Sequence, residues 1–382
     1  MLKFNYVFIF IFLFCFDKIY GQKYDSLDVK EMEKYLISNP EKAYRLGVKI
    51  YNDNDLEDNF RIRLLFSLLN VGNQTQKFTE AIHYGTEGLS LAEKSNNIVS
   101  QIKFLGVLGN IYQSLQVNDK AKYYLNKAED ILKKNKLPAK EQHMKGNILY
   151  LKGMNYAYTL DCDMALEYFD QAISEYQLAK GLLSQINIKL AYLNKAHCLI
   201  EMNDLNDAEI YLNLSKVNTS EINSSLGIPQ IYSDILNQSV DLGFAKILTL
   251  KNNFNGSNEI LYSILKLQNQ ANISGIDTDI YFQLSKNFLK LKDIEKSKYY
   301  SILYQQKSDE KNNIQIKILN NLLLQDQKNA DQKIQQQNRK ILKWGIALFI
   351  LFGAIIGFLT LTFLKIRKTN NFTRKQLYGS GN

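Results

Sequence analysis

The sequence predicts an all-α chain: a solenoid of helical pairs, then a polar juxtamembrane helix and one membrane-crossing helix. Three observations carry that prediction. Apolar residues through the middle of the chain recur at spacings of three and four, and alternating apolar/polar runs are scarce, which favours helix over strand. A unit of apolar helix, short Asp- or Asn-bearing turn and second helix with a small residue four before a bulky one recurs along the chain. Two apolar runs, residues 4–16 and 344–364, bracket that region.

Residues 1–21 are expected to form a secretory signal peptide. The run FNYVFIFIFLFCF follows Lys3; it is short for a span, which needs about 20 residues, but fits the apolar region of an export leader. Gly21 supplies a small residue before Gln22, although Ile19 is larger than the residue preferred two positions earlier. Leu13-Phe14 before Cys15 lacks the small residue that lipid attachment wants, so lipidation is not expected.

Residues 25–310 carry the repeats. The clearest unit is Leu105-x-x-Leu108-Gly109-x-x-Tyr112 followed by Ala121, Leu125 and Ala128; Leu149-x-x-x-Gly153-x-x-Tyr156 followed by Ala165, Phe169 and Ala172 is close to it. Weaker units share the frame: Leu65, Leu68 and Ala81; Tyr192, Leu199, Ala208 and Leu212; Leu284, Phe288 and Ser297; and a degenerate one at Ala245, Leu248, Ser257 and Leu261. Pro40-Glu41-Lys42-Ala43 opens the second helix of a capping unit. The small residues Ala43, Ala81, Ala121, Ala165, Ala208, Ser257 and Ser297 follow one another at intervals of 38 to 49. Helices or loops longer than usual, such as residues 218–227, account for those intervals.

These motifs resemble tetratricopeptide repeats (TPR), whose usual period is about 34 residues. The resemblance implies six or seven helical pairs, with small residues letting the two helices of a pair approach and bulky ones filling the gap to the next, stacked into a superhelix with a concave face. In that family first-helix positions line the groove, and here they hold Asn70, Asn110, Gln113, Tyr150, Met154, Tyr158, His197, Glu201 and Lys286. The mix of amide, aromatic and weakly charged groups suits an extended peptide or a protein helix. Some family members grip a terminal carboxylate with Lys and Asn; Asn70 and Asn110 match the Asn, but Phe66 and Gly106 stand where Lys would be.

Catalytic chemistry is not expected. His83, His143 and His197 are isolated from one another and from any second ligand at metal spacing, and there is no Gly-rich phosphate loop or nucleophile elbow. Neither a metal nor a cofactor is anticipated. Asp161-Cys162-Asp163 falls in an inter-helix turn, where Asp caps the following helix. After leader removal Cys162 and Cys198 are the remaining cysteines, so disulfides do not build the fold; they fall in consecutive repeats near the same end of the first helix, and buried free thiols are expected ahead of a bridge. The net charge of +9 is spread along the chain without a clustered basic face, which argues against direct nucleic-acid binding.

Residues 311–343 form a polar, Gln-rich juxtamembrane helix. Leu323, Ala330 and Gln337, with Gln327, Ile334 and Ile341, recur every seven residues, but half of them are polar or small, so the seam makes a weak coiled coil suited to an assembled dimer. Residues 344–364 carry no charge and span about 32 Å as a helix, enough to cross a membrane. Gly353 and Gly357 have the small-xxx-small spacing that lets two spans pair, which would give a homodimer. Lys365, Arg367, Lys368, Arg374 and Lys375 follow the span, against Arg339, Lys340 and Lys343 before it. That bias sets residues 365–382 as a short basic cytoplasmic tail of an inner-membrane protein and puts the repeats in the periplasm. The plan resembles membrane-anchored TPR proteins of Bacteroidetes-like bacteria, which often continue into a histidine kinase or helix-turn-helix regulator. Here residues 365–382 are too few for such a domain. Two expectations follow: a scaffold or sensor that binds peptides or proteins on the export side, or the sensor portion of a transcriptional regulator or kinase whose output domain is missing.

Overall fold

A computed structural model describes residues 27–36, 38–52, 56–179, 181–218, 230–271 and 276–378. The expected leader at 1–21, most of the loop at 218–227, and the last four residues lie outside them. Among the described residues there are fourteen α-helices, one short 3-10 turn and no strand. The helices form seven consecutive pairs. α1 (Leu27–Tyr35) and α2 (Pro40–Asn52) make the first; α3 (Asp58–Gln74) with α4 (Phe78–Lys94), and α5 (Ile98–Ser114) with α6 (Asn118–Lys134), make the next two. α7 (His143–Tyr158) pairs with α8 (Cys162–Ala179), α9 (Leu182–Glu201) with α10 (Leu205–Ser215), and α11 (Gln230–Leu250) with α12 (Phe254–Ala271). The seventh pair joins α13 (Asp277–Lys290) to the start of α14 (Ile294–Tyr378).

One turn repeats in pairs two to seven. The first helix ends on a residue in the left-handed region: Gln76, Gln116, Leu160, Asn203, Asn252 and Lys292, with φ between 57° and 63°. In each, the next residue's N–H reaches back five places, as Val117 N does to Tyr112 O (2.8 Å) and Asp293 N to Phe288 O (2.9 Å). The left-handed residue itself donates to the carbonyl three before it, as Gln116 N does to Gln113 O (2.9 Å). This pattern satisfies the orphan carbonyls of a helix end and turns the chain sharply into the second helix. Glycine holds none of these six positions.

Five residues after each such turn comes the small residue, and all are buried: Ala81, Ala121, Ala165, Ala208 and Ser257 have no exposed surface, and Ser297 is 8% exposed. Glycine of the first helix lies at that crossing in three pairs, and a Cβ on Gly72 would meet Ala81 Cβ at 2.9 Å. A Cβ on Gly109 would meet Leu125 Cγ at 2.8 Å, and one on Gly153 would meet Phe169 Cδ1 at 2.7 Å. Such contacts let the helices of a pair pack closely and exclude larger residues. Aromatic pairs fasten the same crossings: Tyr112 stacks on Tyr124 (5.4 Å between centroids), Tyr156 on Tyr168 (5.4 Å) and Phe288 on Tyr300 (5.7 Å).

First helices pack on their own partners and also on the next first helix, in the series α3, α5, α7, α9, α11 and α13; successive second helices show no comparable packing. The first-helix layer is therefore the compressed, inner side of the curve and the second-helix layer the outer one. The chain divides into two compact units between Ile318 and Leu319. The second unit is helical through residue 378, so no break separates the segments expected at 311–343 and 344–364. Within it, Ala330–Asn371 is the one stretch among the described residues long and apolar enough to cross a membrane.

Candidate functional site

The repeating turn gives the inner face a ruler. Six residues before each left-handed residue stands one inward position per pair, and in order these are Asn70, Asn110, Met154, His197, Lys246 and Lys286. Five of the six are residues that the sequence assigns to the groove. Lys246 is the one sequence reasoning missed, because its pair has Ala245, Leu248 and Ser257 where the stronger repeats have Gly, Tyr and Ala. Counting eleven back from each buried small residue finds it.

The column changes character along its length. At the N-terminal end the amides are buried. Asn70 is 4% exposed and its Nδ2 donates to Phe66 O on its own helix (2.8 Å). Asn110 is 1% exposed, and neither its Nδ2 nor its Oδ1 has a hydrogen-bond partner. Gln113 has no exposed surface; its Nε2 donates weakly to Leu151 O on α7 (3.4 Å), while its Oε1 is unpartnered.

The middle of the face is apolar and aromatic. Met154 is 1% exposed, within a core cluster that also holds Tyr150 and Phe169. Tyr150 accepts a hydrogen bond from Asn194 Nδ2 (2.7 Å), and burial raises its hydroxyl well above the ordinary range. Tyr158 is half-buried at the end of α7. Here the structure joins predicted groove residues to the core rather than leaving them as an open lining, since the first helices crowd together on the inner side.

The C-terminal end is charged. Burial first, and then the Lys246 ammonium, lower the His197 pKa to about 3, so the imidazole is neutral. Burial raises the Glu201 carboxyl, and Lys246 and Lys286 partly offset it. Asp279, absent from the sequence-based set, is raised to about 6 by burial; Lys246 and Lys311 act against that shift and Asp277 with it. These side chains still touch solvent, but protein surrounds them on most sides and solvates their charge poorly. Lys286 is exposed, with Nζ 5.4 Å from the centre of the Phe282 ring. Three successive first helices thus bring two carboxylates, two lysines and a neutral histidine to one recess, and Lys311 approaches it from α14. Nothing in the sequence pattern of Asp279 or Lys311 marks them, because their place depends on where α14 lies beside α13.

That helix also returns to an earlier repeat. Gln315 Nε2 donates to Leu115 O, one of the end carbonyls of α5. Among the described residues no group of three or more potential metal ligands occurs. A cavity of about 490 Å³ opens elsewhere, between α10, α11 and α12, with Asn213, Asp241, Phe244 and Ile260 in its wall; it does not include the inward column.

No protein-family model matches the sequence, and no curated protein matches it. Among solved structures the chain is similar to the apo form of RapI, at 12% identity and a TM-score of 0.53, over 77% of this chain and 97% of that one. It is also similar to a Rap protein complexed with competence and sporulation factor (12% identity, TM-score 0.47, 77% and 98% covered). Aspartyl phosphate phosphatase F from Bacillus subtilis is a third (14% identity, TM-score 0.45, 76% and 77% covered). At these identities what is shared is the fold, an all-α tetratricopeptide-like solenoid.

Proposed function

We propose that this chain is a non-enzymatic, membrane-anchored scaffold or sensor that binds a peptide or protein segment along its inner face, on the export side of the inner membrane. The observation that carries the reading is the inward column itself. It runs from unpartnered buried amide at Asn110, through Met154 and the Tyr150–Tyr158 aromatics, to the lysines at 246 and 286. The part of the face that reaches solvent is its C-terminal half, where the half-buried Tyr158 suits an apolar side chain and the exposed Lys286 favours an acidic segment. The chain's likeness to Rap structures is a likeness of fold, and the binding reading rests on the column.

The apolar run at 4–16 and the span at 344–364, followed by five basic residues, support export of the repeats and a cytoplasmic C-terminus. A reporter enzyme that works only outside the cytosol, fused after Asn312, is expected to be active; activity of a cytosol-dependent reporter there would overturn the orientation. For the face, Asn110→Ala combined with Tyr158→Ala is expected to lower partner capture at least tenfold with the helical content unchanged. Undiminished capture would remove the assignment.

One observation favours a second reading, that this is the sensor portion of a transcriptional regulator or kinase. α14 is helical without a break from the last repeat through the apolar stretch, which would let a change in the repeats reach the membrane. Inserting Gly-Gly-Pro after Ala330 is expected to uncouple ligand from output in a sensor and to leave a scaffold's binding intact.

A further inference from the structure

Cys162 and Cys198 come from different helical pairs. Cys162 is the first residue of α8, the second helix of its pair, and so does not sit at the end of a first helix as its sequence position suggests. Asp161 caps that helix, its Oδ1 accepting from Met164 N at 3.2 Å. Cys198 lies near the end of α9 with no exposed surface. Because α8 and α9 pack antiparallel, the start of one meets the end of the other. Both cysteines join one apolar cluster, Cys198 within it and Cys162 packed against it, half-buried. The two thiols are close enough for each to shift the other's titration.

We propose that Cys162 and Cys198 form a thiol–disulfide exchange site, whose substrate class is a disulfide such as oxidised glutathione or the exposed disulfide of an oxidoreductase, and whose product is a bond locking the fourth pair to the fifth. The division of labour follows from the surroundings. Cys162 reaches solvent and stands at a helix N-terminus, where the positive end of the helix dipole favours thiolate. Its pKa is held below the ordinary thiol range by the neighbouring Cys198 thiol, against burial and the nearby Glu201, Asp163 and Asp161 carboxylates. Cys198 is pushed up by its partner thiol and by burial, and with no exposed surface it is the second to react.

The exchange balances as two displacements. The Cys162 thiolate attacks one sulfur of the substrate disulfide, forming a mixed disulfide and releasing one thiolate, which takes up a proton. Cys198 then gives its proton to solvent and attacks Cys162 Sγ, closing the internal bond and releasing the second thiol. The protein loses two hydrogens, and the substrate disulfide is reduced to two thiols. The bond would join two residues of one cluster across helices that are already packed together. The bond would fix the spacing of α8 and α9 beside His197 and Glu201, next to the inward column.

The test uses the full chain in detergent, in a Cys15→Ser background so that only these two thiols report. With oxidised glutathione, the intact mass is expected to fall by about 2 Da, and a peptide map to join the segments holding Cys162 and Cys198. C198S is expected to stop at the mixed disulfide, gaining about 305 Da at Cys162. C162S is expected to react about tenfold more slowly or not at all, because the remaining thiol is buried. The oxidised wild type should melt several degrees higher than the reduced form. Wild type that retains glutathione as fully as C198S does, or a Cys162 that stays unmodified, would overturn the proposal. The peptide map on wild type decides the matter even if a variant misfolds.

Discussion

The third and fourth helical pairs and the sixth and seventh solve the same crossing in different ways. In α5–α8 the first helix passes over the second through Gly109 and Gly153, against Leu125 and Phe169. At the equivalent place in the seventh pair, Ser285 Oγ donates to Ser297 O and Ser297 Oγ donates to Ser285 O, both at 3.0 Å. Next to it, Asn287 Nδ2 donates to Ser257 Oγ (2.9 Å) and Asn258 Oδ1 (2.8 Å), Thr249 Oγ1 donates to Asn287 Oδ1 (2.7 Å), and Gln283 Nε2 donates to Thr249 Oγ1 (2.7 Å). A solenoid crossing therefore needs closeness rather than hydrophobicity. Small size with apolar filling achieves it in one region, and a satisfied polar network achieves it in the other.

The comparison can be broken most forcefully at Asn287, which has no exposed surface. Asn287→Leu should leave Thr249, Ser257, Asn258 and Gln283 short of partners and destabilise the repeats by about 3–5 kcal/mol in urea unfolding. A loss under about 1 kcal/mol would mean the network is incidental. Gly153→Ala tests the apolar counterpart. Its Cβ would press on Phe169 and lie 3.3 Å from Ala165 O, and overpacking of that kind costs about 1–3 kcal/mol.

The charged end of the second region has its own signature in pH. The folded pKa of Asp279, about 6, lies above its unfolded value, so the folded state holds that proton more tightly and stability from this group falls as pH rises from about 4 to 6. His197, lowered to about 3, acts in the opposite sense: stability is lost as pH falls through the range below 6.5. Melting curves of Asp279→Asn should therefore lose stability on acidification more steeply than wild type. Identical pH profiles would show that Asp279 is solvated like a surface carboxylate.

The smallest effect concerns what the two regions share. Leu160 and Lys292 hold left-handed turns at φ 61° and 62°, and both are exposed. Replacing either with glycine relieves a left-handed penalty of about 1–2 kcal/mol, less the glycine's extra unfolded freedom, so each variant should gain up to about 1 kcal/mol. Equal gains in both regions would confirm one common turn.

This contrast also explains what could be read from sequence. The pairs built on Gly109, Gly153 and their aromatic partners were legible because size and apolarity leave a pattern at fixed spacing. The seven small residues, from Ala43 to Ser297, set the register of every pair. The turns themselves were not legible, because Gln, Leu, Asn and Lys occupy positions where glycine would have been the signal. The polar network around Asn287 looked like degeneration, since hydrogen-bonding partners drawn from three helices share no spacing. Of the inward face, the column was legible by family resemblance, but its burial was not: Asn110 and Met154 are sealed by neighbouring first helices. Lys152 stands where the family pattern has Leu, and burial opposes its charge. The hydrogen bonds of Glu129 and Tyr168 outweigh that and hold its pKa above the ordinary value. No one-dimensional pattern carries such a pairing.

The most direct test of the binding face is a photoreactive amino acid placed at Lys286, exposed on the inner column, and separately at Tyr123, exposed on α6 in the outer layer. Irradiated in the native envelope, the Lys286 probe is expected to give a discrete crosslinked species that the Asn110→Ala, Tyr158→Ala variant lacks, and the Tyr123 probe none. Crosslinks confined to Tyr123, or a Lys286 species indifferent to the double substitution, would contradict an inner-face partner.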